Sequence, residues 1–164
     1  MSDQFEPDEL VISTRGSDWL CTYKGEEINP WTKGVVGGRG EFFNIHDEFF
    51  IKTTWAYRSS SQCKTEAFQY AKIEAKDLCY FSTMLGCSDF NRSIHWTAWR
   101  WIPKLVKHWS DHHAYERCAE IVSDLCDKYR IGDVTTYPNG NWWIVKNQPL
   151  IVDLGCSLDD GGSS

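Results

Sequence analysis

No apolar run in this chain approaches the roughly 18 residues that a membrane-spanning helix needs. Its longest runs, such as Leu150–Val152, stop after a few positions, which excludes a helical span. A signal-peptide pattern is missing too, because Asp3, Glu6, Asp8 and Glu9 stand where positive charge is required. There is no basic surplus: 17 Lys+Arg face 23 Asp+Glu, the net charge is −6, and no stretch gathers more than a few Lys or Arg. Such a chain has no electrostatic footprint for a phosphate backbone. Neither nucleic acid nor a membrane is therefore expected as a partner, and the cytoplasm is the expected location. There is no internal repeat. The seven cysteines, Cys21, Cys63, Cys79, Cys87, Cys118, Cys126 and Cys156, include no CxxC pair. A zinc ribbon is not expected, and an odd number cannot be fully paired. Reduced thiols packing as small hydrophobes are the expectation.

What the chain has instead is aromatic bulk. Nine Trp and 15% aromatic residues in 164 positions predict a core built on large flat side chains, with some indoles left at surfaces for binding. The length suits one domain, or one domain divided into two small lobes.

Residues 1–34 are polar and broken by Gly16, Gly25 and Pro30, and read as an irregular leader with one strand at Trp19–Lys24. The first firm pattern is Val35–Asn44, containing Gly37, Gly38 and Gly40, followed by His46-Asp47-Glu48 and Phe49–Lys52. Aromatic and β-branched runs punctuated by glycines and an acidic turn predict three short antiparallel strands. From Cys63 to about Tyr80 the period becomes helical, with Ala67, Phe68, Ala71, Ala75 and Leu78 as the apolar positions and Ser61 or Thr65 as the cap. Ser93–Ile102 alternates as a strand does, and Pro103 ends it. A long helix is predicted over Ser110–Tyr129, with Tyr115, Cys118, Ala119, Ile121, Val122, Leu125 and Cys126 as its apolar stripe and Gly132 as its stop. A hairpin follows, Asn141–Val145 and Leu150–Asp153 about a turn at Lys146–Pro149. The residues after it, 158–164, read as a disordered tail.

Each chemical motif is weak when taken singly, and their order is what carries information. A glycine-rich hairpin is followed by a strand ending on Lys52, then by a helix with Glu66 fourteen residues on. Next come a strand, a long helix, a loop bearing Asp133, a strand begun by Asn141, and a hairpin closing on Asp153-Leu154-Gly155. This order resembles the protein kinase-like family. In that family a glycine-rich loop covers the nucleotide phosphates, and a strand lysine pairs with them and with a helix glutamate. A loop aspartate faces the acceptor hydroxyl, and an asparagine and an aspartate hold magnesium.

The resemblance implies an α+β, two-lobed domain over residues 35–157. Its small antiparallel β-rich N-lobe would cover about 35–102 and its reduced helical C-lobe about 103–157. Gly38 and Gly40 would lie over the phosphates of ATP, Lys52 would orient them and Glu66 would fix Lys52. Asp133 would position the acceptor hydroxyl, and Asn141 with Asp153 would hold Mg2+. The compact shape is most similar to the small serine/threonine kinases that bacteriophages make early in infection, which implies a host protein as substrate and the host cytoplasm as location.

Other readings of the same residues stay open. Lys52 also fits a strand-end lysine turned to solvent, and Glu66 a glutamate favoured by the helix dipole, with Glu74 as a rival for the pairing role. Asp133 fits a turn after a helix, and Asn139-Gly140 a tight turn. Asp153, after the apolar Leu150-Ile151-Val152, sits at the end of a buried strand, where a carboxylate needs a ligand or hydrogen-bond partner. The Trp96, Trp99 and Trp101 group fits core packing, adenine stacking or partner docking. His108 and His112 would face one way on a helix, beside Asp111, His113 and Cys118, but no third ligand lies at a recognisable spacing, so a polar helix start is expected there.

The sequence also departs from the family pattern. The catalytic-loop motif reads Arg130-Ile131-Gly132-Asp133, without the histidine, and Asp133 and Asn141 are eight positions apart. Eleven residues follow Asp153, which leaves no activation segment. These departures motivate a second expectation: a non-catalytic binding protein that occupies a host defence or transcription enzyme, using a pseudokinase-like or other α+β fold.

Overall fold

A computed structural model describes residues 4–31, 40–56, 61–102, 112–132, 142–152 and 154. The architecture is mixed α+β, and the chain forms two compact units. One is Met1–Lys64 with Met84–Ile102, and the other is Thr65–Thr83 with Pro103–Ser164.

In the first unit, apolar and polar residues alternate along short strands. Strands β1 (Leu10–Arg15), β2 (Asp18–Tyr23) and β3 (Glu26–Ile28) form an antiparallel three-stranded sheet in the order β1-β2-β3. The expected irregular leader is therefore a folded sheet. Gly16, at φ +61°, and the Lys24-Gly25 pair, at φ +50° and +78°, are hairpin tips and not breaks. Left-handed backbone at those points is what a two-residue hairpin loop needs.

A second sheet holds β4 (Phe42–Ile45), β5 (Phe49–Trp55), β6 (Met84–Cys87) and β7 (Ile94–Arg100) in the order β4-β5-β7-β6. Pro30 bridges Phe43, and the Trp31 N–H donates to the Phe42 carbonyl at 2.7 Å, so the chain entering residues 32–39 runs antiparallel beside β4. The strand expected from Val35 lies outside the described residues. One face of β5, bearing Phe49 and Ile51, turns inward with Phe43, Ile45 and Ala98. These pack with Phe5, Leu10, Cys21, Tyr23 and Ile28 into one core shared by both sheets. Burying each Leu, Ile or Phe side chain of this core contributes about 1.5–3 kcal/mol.

Helix α1 (Gln62–Lys72) is shorter than expected. Ser61 accepts the Lys64 N–H at 3.3 Å, so of the two expected caps it is Ser61 that acts. Glu74, extended at φ −66° and ψ 148°, ends the helical path, and Ala75–Tyr80 continues as a 3₁₀ turn. The buried stripe also differs from the expected one: Cys63, Glu66, Ala67, Gln69 and Ile73 are inside, while Phe68 is 54% exposed.

The second unit is built on α2 (His112–Tyr129), where Cys118, Val122, Leu125 and Cys126 of the expected stripe are buried, Tyr115, Ala119 and Ile121 are half-buried, and Ala114 is buried beside them. Its stop comes before Gly132. Arg130 adopts φ +58°, and the Ile131 N–H reaches back to the Cys126 carbonyl at 3.0 Å, a Schellman closure made without glycine. Helix α2 packs on the hairpin of β8 (Trp142–Val145) and β9 (Gln148–Ile151). The hairpin turns on Lys146 and Asn147, at φ +52° and +64°. Phe81 bridges Ile151 in parallel, and the Ser82 N–H donates to the Ile151 carbonyl at 2.9 Å.

Candidate functional site

Lys52 does not end its strand. β5 runs on to Trp55, and Lys52 lies inside it, half-buried, with Phe42 and Thr97 as its cross-strand neighbours. A side-chain period of two puts Lys52 on the sheet face opposite Phe49 and Ile51, together with Phe50, Thr97 and Trp99. Its ammonium stands 5.2 Å from the centroid of the buried Trp99 ring, and the Trp99 indole N–H donates to Thr97 Oγ1 at 2.9 Å. A cation–π contact of this kind attracts the ammonium to the ring.

The same face carries a half-buried aromatic group: Trp31 lies 4.7 Å from Trp101 and 5.1 Å from Phe50, and Phe42 lies 5.3 Å from Phe50. Of the expected phosphate-contacting glycines, Gly38 lies outside the described residues. Gly40 does not need a ligand to explain it. A Cβ there would stand 1.9 Å from the Thr53 carbonyl oxygen. Thr53 in turn stitches the strand start, with its Oγ1 and N–H both reaching the Glu41 backbone at 2.8–3.2 Å. Gly40, which precedes β4, is thus held against Thr53, the residue that follows Lys52 on β5.

Glu66 lies beyond the first turn of α1 and is 2% exposed. A surface glutamate favoured by the helix dipole does not describe it. Its rival Glu74 lies outside α1, exposed, with Lys76 at 3.5 Å and Lys128 at 3.3 Å. Asp133, Asn141 and Asp153 lie outside the described residues, as do His108 and Asp111. Among the described residues no group of three or more His, Cys, Asp or Glu side chains is placed to hold a metal ion.

Three features escaped the sequence reading. His95 is 2% exposed on β7, with Nε2 3.0 Å from the Phe90 carbonyl and Nδ1 2.6 Å from Ser61 Oγ, which itself lies 3.1 Å from Thr54 Oγ1. The alternation of Ser93–Ile102 could have flagged His95 as buried, since it shares a face with Thr97 and Trp99. Gln69 is the second feature: it is 3% exposed, with both amide atoms lacking a hydrogen-bond partner among the described residues.

The third ties α2 to the 3₁₀ turn. Lys128 Nζ lies 2.8 Å from Asp77 Oδ2, the Tyr129 hydroxyl donates to the same carboxylate, and the Glu74 N–H donates to that hydroxyl at 3.1 Å. Hydrogen bonds from Lys128 and Tyr129 hold the Asp77 carboxyl below the usual range, and the same pairing raises Lys128. Burial, then Asp77, raises Tyr129.

The described cysteines are free thiols, with Cys21, Cys63, Cys118 and Cys126 buried. Burial pushes Cys21 up to about 12 and Cys126 up to about 11, which suits packing and not nucleophilic attack. No described helix is long and apolar enough to cross a membrane. No protein-family model, no curated protein and no solved structure matches the chain.

Proposed function

We propose that the chain is a minimal protein kinase-like domain that uses Mg-ATP to phosphorylate Ser or Thr of a host protein, in the manner of the small phage kinases it resembles. The observation that carries this reading is a half-buried lysine inside a strand, next to the strand that leaves the glycine-rich segment, followed in sequence by a helix with a buried glutamate. That is the family's order of glycine-rich loop, strand lysine and helix glutamate. A buried carboxylate is costly unless something answers its charge, and Glu66 stands at the position where the family carries the glutamate that fixes the lysine.

Lys52 fits an anionic ligand, since its ammonium is a compact cation held on an aromatic ring. Mg-ATP, when bound, supplies the transferable phosphoryl group. Asp133 would hold the acceptor hydroxyl, and Asn141 with Asp153 would be the magnesium ligands. The test is a thermal shift with Mg-ATP. One site at a hundred times its Kd adds about 2.7 kcal/mol, and Lys52→Ala and Asp153→Asn should each reduce the shift. No shift in the parent protein, or an equal one in both variants, would remove the nucleotide-binding reading.

The second reading, a host-enzyme binder without catalysis, draws on the half-buried Trp31, Phe42, Phe50 and Trp101, because aromatic anchors dominate tight interfaces. It expects retained host-protein binding in a Lys52→Ala, Asp153→Ala double variant and no phosphoryl transfer by the parent.

A further inference from the structure

We propose that the open edge of β1 pairs antiparallel with β1 of a second copy, joining two three-stranded sheets into one continuous sheet. In the order β1-β2-β3, β1 is an edge strand. Which of its groups face outward follows from one bond. The Lys24 N–H donates to the Glu9 carbonyl at 3.1 Å, and the Arg15↔Asp18 pair closes the hairpin at the other end. Ladder hydrogen bonds alternate along an antiparallel strand. Val11 and Ser13 therefore bond toward β2, while Leu10, Ile12 and Thr14 present their backbone groups to the open side. The Leu10 N–H is already given to the Pro7 carbonyl. The Leu10 carbonyl and both groups of Ile12 and Thr14 have no partner among the described residues.

Natural edges are shortened, bulged, or protected by proline or charged side chains. Along Leu10–Thr14 none of these guards β1, whose one charge is Arg15 at its end. β1 is six residues long, Leu-Val-Ile-Ser-Thr-Arg, in unbroken register with β2, and Val11 is 56% exposed. Other edges of the same unit are managed. β3 is three residues long, β6 is four with a bulge between Met84 and Gly86, and the outer side of β4 is taken by Pro30 and Trp31.

Charge selects the second copy as occupant and fixes the register. With Ile12 opposite Ile12 of the second copy, Thr14 faces Leu10 and, apart from the Leu10 N–H already given to Pro7, every pairing group is an outward one. That alignment also brings the exposed Arg15 to the end of the second copy's β1 that the exposed Glu9, last residue of the 3₁₀ turn Pro7–Glu9, immediately precedes, in both directions. A slip of one residue would set outward groups against groups already bonded to β2. A slip of two would lose the charge pairing.

The test is sedimentation velocity over rising protein concentration, with the mass expected to move from 19.0 kDa toward twice that value. Thr14→Pro deletes an outward N–H and no bond to β2, and should hold the chain at monomer mass with unchanged circular dichroism. Arg15→Glu should do the same by placing like charges together. The Glu9→Arg, Arg15→Glu double variant should restore the dimer, and it decides the matter if Thr14→Pro fails to fold. A parent that stays monomeric at every concentration, as when the edge serves a strand of another protein, would overturn the proposal. So would a dimer that survives Thr14→Pro or Arg15→Glu, or a double variant that stays monomeric.

Discussion

Gly40 turns the side on which a Cβ would stand toward Thr53, 1.9 Å from its carbonyl oxygen and 2.9 Å from its Oγ1. Backbone cannot retreat as a flexible side chain can, and Thr53 is itself 1% exposed and bonded twice to Glu41. Gly40→Ala should therefore cost on the order of 1–3 kcal/mol of stability with no ligand present, read as a lower urea midpoint. If stability is unchanged and only a nucleotide-dependent shift is lost, Gly40 serves a ligand and not the fold.

The Ser61 hydroxyl joins three elements at once. With His95 Nε2–H donating to the Phe90 carbonyl, Nδ1 is left to accept from Ser61, a tautomer assigned from the bonding pattern. Ser61 then accepts from Thr54 and from the Lys64 N–H. Ser61→Ala removes the helix cap and strands the buried His95 and Thr54, so a loss of about 1–3 kcal/mol is expected. Combined with His95→Phe the losses should fall short of their sum, because both variants break the same network. Simple additivity in denaturant titrations would show that the network is not a unit.

Side-chain period explains which parts of this fold were legible in the sequence. The stripe from Tyr115 to Cys126 and the alternation in β7 are long enough to define their elements, and α2 and β7 formed where those patterns lie. In the first 34 residues the strand expected at Trp19–Lys24 is present as β2, but its partners were missed because Gly16 and Gly25 look alike as breakers and as hairpin tips. Only the pairing of Leu10–Arg15 with Asp18–Tyr23 separates the two. On α1 the helical spacing was correct but the face was not. Glu66 and Gln69 are polar yet inside, and Phe68 is apolar yet outside, so tertiary packing overrode composition. For the site, Lys52 could be named but not its contact with Trp99, since cross-strand neighbours depend on register and a single strand does not contain its register.

Asp77 gives the second unit a dependence on acid. Its carboxyl lies below its ordinary value of 3.8, first through the Lys128 hydrogen bond and then through Tyr129. A group with a lowered folded value contributes stability that is present above its unfolded value and is lost as pH falls through the folded one. Asp77→Asn should therefore lower stability at pH 7 and flatten its decline toward acid. Denaturant titrations from neutral pH down to about 3 check this, and a variant with the parent's acid slope would assign that slope to other carboxylates.

Gln69 makes the opposite prediction about sign. Gln69 is 3% exposed on the inner face of α1, and neither Nε2 nor Oε1 has a hydrogen-bond partner among the described residues. An unpaired buried amide costs about 1–3 kcal/mol, and replacing it by an apolar group of similar shape removes that cost. Methionine matches glutamine in length and lack of branching, so Gln69→Met should leave stability unchanged or raise it by up to about 2 kcal/mol. Gln69→Ala should lower stability by opening a cavity in the same place. The pair of variants separates volume from polarity. If Gln69→Met loses as much as Gln69→Ala, the amide is satisfied by an internal water and helps to hold α1 in place.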